Sequence, residues 1–149
     1  MLEQDSASVS KITVTDILEG HSTLPFISPS TWKGAQHDCP SLRRTYAHLS
    51  LGTRPTKKDT HIRDVKRYLK VCVIGKNGLL VTRCTAPFQR TRDLTVLPRH
   101  VLCGLLSALH LRLNHPTKAQ TKKVFHQYFF ALDANDEIDR VCNECPQCA

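Results

Sequence analysis

Apolar and polar positions divide this 149-residue chain into stretches of different texture. The first 27 residues show no sustained period and carry several Ser and Thr, which suits a flexible polar linker or tail. From Ser28 the pattern changes. SPSTWKGAQHD, and SLRRTYAHLSLG after Pro40, each have helical spacing, with Trp32, Leu42, Tyr46 and Leu49 as an apolar side and Gly52 as a stop. RPTKKDTHIRDVKRYLK opens as a basic loop and becomes a helix whose stripe is Ile62, Val65 and Leu69. VCVI and LLVTR flank GKNG, and Asn77-Gly78 tolerates the positive φ of a tight turn, so a β-hairpin is expected there. LTVLPR adds a short strand that Pro98 ends.

Beyond Arg99 the period is helical. Leu102, Leu105, Leu106, Leu109 and Leu113 make one helix; a second is expected from Pro116 to about Phe130, pairing Val124 with Tyr128 and Phe125 with Phe129. A third, shorter helix is expected from Asp136 to Val141, with Asn135 or Asp133 as its cap. The fold class that follows is mainly α: a small three-helix bundle over residues 99–149, preceded by a basic extension of short helices and a hairpin over 28–98. Three short helices with so few core residues are marginal unless something ties them together.

Charge and cysteines narrow the choices. Residues 1–30 carry −3 and residues 131–149 carry −4, so the overall +8 conceals +15 on the hundred residues between. Such a field attracts polyanions, nucleic acid first among them. No run approaches the roughly 18 apolar residues of a membrane span, and the polar, acidic start does not resemble a secretory signal. The expectation is therefore an intracellular chain without a membrane partner, whose seven cysteines stay reduced and serve as metal ligands more readily than as disulfides.

The cysteines and histidines near the C-terminal end have ligand spacing. His110 and His115 would lie about 140° apart on a continuous helix, too far to share an ion. Pro116, however, disfavours helix at His115, so the helix should end near Leu113 or Asn114 and let His115 turn back toward His110. CNECPQC then supplies Cys142, Cys145 and Cys148. Cys142, one turn after Ile138, reads first as a small buried thiol, with a rival knuckle of Cys142 and Cys145 left open. A tetrahedral Zn²⁺ bound by two such close pairs would clamp the first helix of the bundle to the third. His100 and His126 lack partners at ligand spacing and are expected as surface or capping residues. Cys39, Cys72, Cys84 and Cys103 are isolated and expected to be structural. The acids Asp133, Asp136, Glu137 and Asp139 suit the positive end of the third helix better than catalysis, and no nucleophile–base pair or phosphate loop is legible.

The stretch LPRHVLCGLLSALHLRLNHPTKAQTKKVFHQYFFALDANDEIDRVCNECPQC resembles the integrase zinc-binding domain encoded in the pol polyproteins of Gypsy-type LTR retrotransposons and retroviruses. Before it, Trp32, Gln36, GTRP at Gly52 to Pro55, KRYL at Lys66 to Leu69 and GLLV are similar to the segment that joins ribonuclease H to integrase in such polyproteins. The resemblance implies His110, His115, Cys145 and Cys148 as the Zn²⁺ ligands. It also implies partners in DNA, at the element ends, and in other integrase subunits as a homo-oligomer, with a nuclear location and no small-molecule substrate. Strand transfer would belong to a catalytic core following Cys148, so this chain by itself is expected to bind rather than catalyse. Phosphate contacts are expected from Arg63, Lys66, Arg67 and Lys70, with Lys118, Lys122 and Lys123 as a second patch. The alternative is a host-retained, zinc-stabilised protein-interaction module that binds no nucleic acid.

Overall fold

A computed structural model describes residues 28–147 apart from 86 and 89. The expected linker at 1–27 and Cys148 lie outside the described residues. Helices α1 (Pro29–His37), α2 (Pro40–Leu51) and α3 (Ile62–Val71) come first. Strands β1 (Cys72–Ile74), β2 (Leu80–Cys84) and β3 (Arg92–Val96) follow, then α4 (Arg99–Arg112), α5 (Lys118–Tyr128), β4 (Phe129–Phe130) and α6 (Ala134–Glu144). The described residues are thus mainly helical with one four-stranded sheet.

Local chemistry accounts for most boundaries. Pro29 and Pro40 open α1 and α2, where a missing N–H costs nothing. Gly52, at φ 69°, closes α2 in the left-handed region that a side chain resists. The hairpin forms as its turn residues demand: β1 and β2 pair antiparallel, with Val73 opposite Val81 and Gly78 at φ 75°. Thr117 starts α5 with a reciprocal capping box, its hydroxyl accepting from the Gln120 N–H while the Gln120 side chain accepts from the Thr117 N–H. The helix therefore begins later than Pro116.

It also ends earlier than Phe130. Phe129 and Phe130 leave the helix and pair parallel with Thr95 and Val96, extending the sheet to the order β1-β2-β3-β4. This two-residue strand ties the end of α5 to the sheet, and Leu97 N–H adds a bond to Phe130 O at 2.8 Å. Phe129 earns its place by packing. Its ring meets Trp32 edge-on at 5.6 Å and Phe125 at 5.6 Å, so α1, β4 and α5 share one aromatic contact.

The main core joins Trp32, Leu79, Val81 and Leu97 to Leu102, Leu106, Leu109, Val124, Phe125, Ile138 and Cys142. The helices after Arg99 therefore bury their apolar faces partly against residues of the preceding 28–98 stretch. A second cluster under α2 and α3 holds Leu42, Tyr68, Cys72, Leu80 and Val96. Tyr68 is fully buried, deeper than Ile62 or Leu69 of the expected stripe, and burial pushes its hydroxyl well above the ordinary tyrosine range. Tyr46, expected on the apolar side of α2, is exposed.

Gln36 links the helices to the sheet. It is buried, and its side-chain amide donates to Leu80 O at 2.9 Å and Val96 O at 2.7 Å while accepting from Leu80 N–H at 2.9 Å. Leu80 and Val96 sit where the β2–β3 ladder would add its next pair beyond Val81 and Thr95. The glutamine amide thus completes the ladder from α1 at a point where buried backbone groups would otherwise lack partners.

Candidate metal centre

The C-terminal end of α4 is built to bring two histidines together. Asn114 adopts φ 59°, a left-handed conformation that asparagine tolerates better than most residues. Its N–H bonds Leu111 O at 3.1 Å and the His115 N–H bonds His110 O at 2.9 Å, the paired bonds of a Schellman cap. The second bond couples the very residues whose rings converge. Pro116 disfavours right-handed helix at His115, which takes φ 58°. Two consecutive left-handed residues curl the chain back over the helix more tightly than an extended one would, and the buried Pro116 follows directly.

The result is a compact donor set. His115 Nδ1 lies 3.1 Å from His110 Nε2, with the rings nearly perpendicular at 86°, and Cys145 Sγ lies 3.3 Å from His115 Nδ1. One donor atom from each of His110, His115 and Cys145 falls within 4.8 Å of the others. A tetrahedral zinc site with bonds of about 2.0–2.3 Å has edges of roughly 3.3–3.8 Å, so three of its corners fit with shifts of a few tenths of an ångström to about an ångström. His110 is buried, and burial first, then His115, lowers its pKa, which favours the neutral form that ligates metal. The chemistry of the donors, two imidazoles and a thiol, suits zinc better than a hard cation. Ordinary hydrogen bonding among the same three groups would give similar distances.

Cys145 arrives on the end of α6. That helix packs its Ile138, Val141 and Cys142 into the main core against α4 and α5, and it stops at Glu144, so Cys145 leaves the helix at the level of the α4 cap. Cys142 is buried in that core and does not belong to the donor cluster. Cys103 is exposed rather than structural, its sulfur 3.2 Å from the Arg140 guanidinium. Cys39 and Cys72 are buried, and burial pushes the Cys72 thiol up to about 12. His100 and His126 are exposed as expected, with His126 Nε2 2.8 Å from Asn135 Oδ1.

The basic residues separate into two groups. Arg63, Lys66, Lys70, Lys118 and Lys123 are exposed. Lys66 and Lys70 line a groove of about 350 Å³ with Arg54, Pro55 and Leu69, and Arg54 is a cation that the helical stripe alone did not single out. Arg67 and Lys122, by contrast, are engaged: Arg67 pairs with Asp133 at 2.9 Å and Lys122 with Asp139 at 3.0 Å. Asp133 stands at the N-cap of α6 but makes no side-chain cap bond, because Arg67 and Arg99 hold its carboxylate. Those two guanidiniums pull its pKa down to about 2. Arg99 also grips Asp64 at 2.7 and 3.0 Å and holds that carboxyl below its usual range, so α3 and the starts of α4 and α6 meet in one ionic network. Glu137 pairs with Arg140.

The chain matches no protein-family model, no curated protein and no solved structure.

Proposed function

We propose that the chain is a zinc-stapled nucleic-acid-binding module of the integrase type, in which one Zn²⁺ clamps the end of α4 to the end of α6 and leaves the basic surface free to hold DNA. The convergence of His110, His115 and Cys145 on one point carries this reading, together with the family resemblance of the surrounding sequence. Cys148, three residues beyond Cys145, would be the fourth ligand. When bound, the ion supplies folding free energy and no chemistry, since metal binding and folding are one equilibrium in modules this small. The three-helix bundle of α4, α5 and α6 is then the stapled unit, which supports multimerisation with other integrase subunits and the grip on element ends, while strand transfer belongs to the catalytic core that the resemblance implies.

Arg63, Lys66, Lys70, Lys118 and Lys123 are the residues available for backbone phosphates. Arg67 and Lys122 would have to leave carboxylate partners first, so they contribute less. Titration with a duplex at 50 and 200 mM salt tests the nucleic-acid claim. Affinity should fall steeply with salt, and replacing Lys66 and Lys70 by Ala should flatten the log–log slope by about two units. Absence of binding at low salt would leave the host-retained interaction module as the better description.

The 3.3 Å approach of Cys145 Sγ to His115 Nδ1 favours one second reading, a thiol activated by an imidazole. A metal-bound thiolate resists alkylation until the ion is removed, whereas a catalytic pair would react rapidly with iodoacetamide and ignore added zinc.

A further inference from the structure

A cavity of about 360 Å³ opens between α1, α2 and the hairpin turn, and its lining includes no residue of the donor cluster and none of the phosphate-contact lysines. Its floor is apolar, with Leu42 and Leu80 both buried, and Ala47 at the side. Its polar lining is cationic or neutral: Lys33, Arg43, His37, Tyr46 and the fully bonded Gln36, with no acidic residue among them. Neither Lys33 nor Arg43 takes part in an ion pair among the described residues, unlike Arg67, Arg99 and Lys122.

The polar heads converge on one place. A methyl group added to Gly78 would lie 3.3 Å from Lys33 Nζ and 3.9 Å from the Tyr46 hydroxyl. The Lys33 ammonium and the Tyr46 hydroxyl therefore lie close to one another over the turn, the ammonium near enough to crowd any side chain at Gly78. Gly78 is doubly constrained, since its φ of 75° also disfavours any side chain. The turn is held by Gly78 N–H to Gly75 O at 3.1 Å and Gly75 N–H to Leu79 O at 2.8 Å, and Gln36 pins the adjoining Leu80. The lower half of the cavity is thus preformed.

We propose that this cavity binds a small organic anion: one carboxylate on an aryl or alkyl body of about ten to fifteen non-hydrogen atoms, which matches the lower range of small-molecule sites. The carboxylate sits beside the turn at Gly78, accepting from Lys33 Nζ and the Tyr46 hydroxyl with Arg43 at the rim, and the apolar body lies against the exposed Tyr46 ring and Ala47. This adds a small ligand to a chain whose sequence suggests no small-molecule substrate, and it is independent of the metal and of nucleic acid.

The test uses 2-naphthoate and its neutral counterpart 2-naphthamide, titrated into the isotopically labelled full chain and followed by amide chemical shifts. Naphthoate should shift amides within residues 33–47 and 75–81 and leave α5 and α6 in place. The amide analogue should bind about tenfold more weakly, and so should naphthoate to Lys33→Met, the loss of one charge-assisted hydrogen bond. Tyr46→Phe should weaken binding by a smaller factor. Both replaced side chains are exposed, and an unchanged spectrum of the free variants shows that the fold survives. Equal binding of acid and amide, shifts spread over the molecule, or no saturable binding would each overturn the proposal.

Discussion

Replacing Gln36 should reveal how much of the sheet depends on a single amide. The side chain is 5% exposed and makes three hydrogen bonds, two to Leu80 and one to Val96. Gln36→Leu keeps most of the volume and removes all three. Each such bond contributes about 1 kcal/mol net, and the three backbone groups left behind have little access to water, so the loss should be roughly 3 kcal/mol. That is a large share of the 5–15 kcal/mol typical of a domain. In urea it should move the midpoint by about 1.5–2 M with little change in slope. Gln36→Glu distinguishes hydrogen bonding from packing. One carboxylate oxygen would still accept from Leu80 N–H, but the other would face two carbonyl oxygens with no proton to give them, so near neutral pH it should be less stable than the leucine variant and recover on acidification as the carboxyl becomes a donor. Amide exchange at Leu80 should accelerate in both variants. A cost below about 1 kcal/mol for Gln36→Leu, or a glutamate variant no worse than the leucine one at neutral pH, would refute the role assigned to this amide.

Three other outcomes follow from the same geometry. Asn114→Val should destabilise the α4 cap by about 1–2 kcal/mol, because a β-branched residue resists the left-handed region, and should lower zinc affinity about tenfold in a chelator competition; Asn114→Gly should be neutral or slightly stabilising. Thr117→Ala should cost about 1 kcal/mol in thermal or urea unfolding by removing the capping box of α5. Asp133 is held at about 2, below the usual carboxylate value near 3.8, so its contribution is present above about pH 4 and is lost as pH falls toward 2. Arg99→Met should flatten that acid dependence and cost only about 1 kcal/mol at neutral pH, since Arg99 and Asp133 are well exposed and Asp64 is only partly buried.

Local signals were legible in the sequence wherever a residue acts on its own neighbours. The prolines and Gly52 bounded α1 and α2, Asn77-Gly78 gave the hairpin, and the leucine period gave α4. Thr117 and Gln120 also carried a legible capping box, although Pro116 had suggested an earlier start. What sequence could not supply depends on distant partners. Phe129 and Phe130 continue a helical pattern and become a strand only because β3 offers a free edge and Trp32 a ring to pack on. Gln36 looks like any polar residue on a short helix until the sheet places Leu80 and Val96 beside it.

The donor cluster was legible in part for the same reason. Spacing and Pro116 brought His110 and His115 together, while the means, a Schellman cap on Asn114, needed backbone geometry. Cys142 and Cys145 could each be read as a ligand, and the packing of α6 separates them by burying Cys142 in the core. Arg67 and Lys122 read as free cations because their acids, Asp133 and Asp139, are far away in sequence or on another helix.

The measurement that tests the central claim most directly is metal content per chain after purification without chelator, taken together with helicity before and after EDTA. Wild-type protein should hold one zinc per chain and lose helical signal when the ion is stripped, and His115→Ala, Cys145→Ser and Cys148→Ser should each lose the metal. A chain that carries no zinc and whose helicity ignores EDTA would contradict the staple and leave His110, His115 and Cys145 as hydrogen-bonded neighbours only.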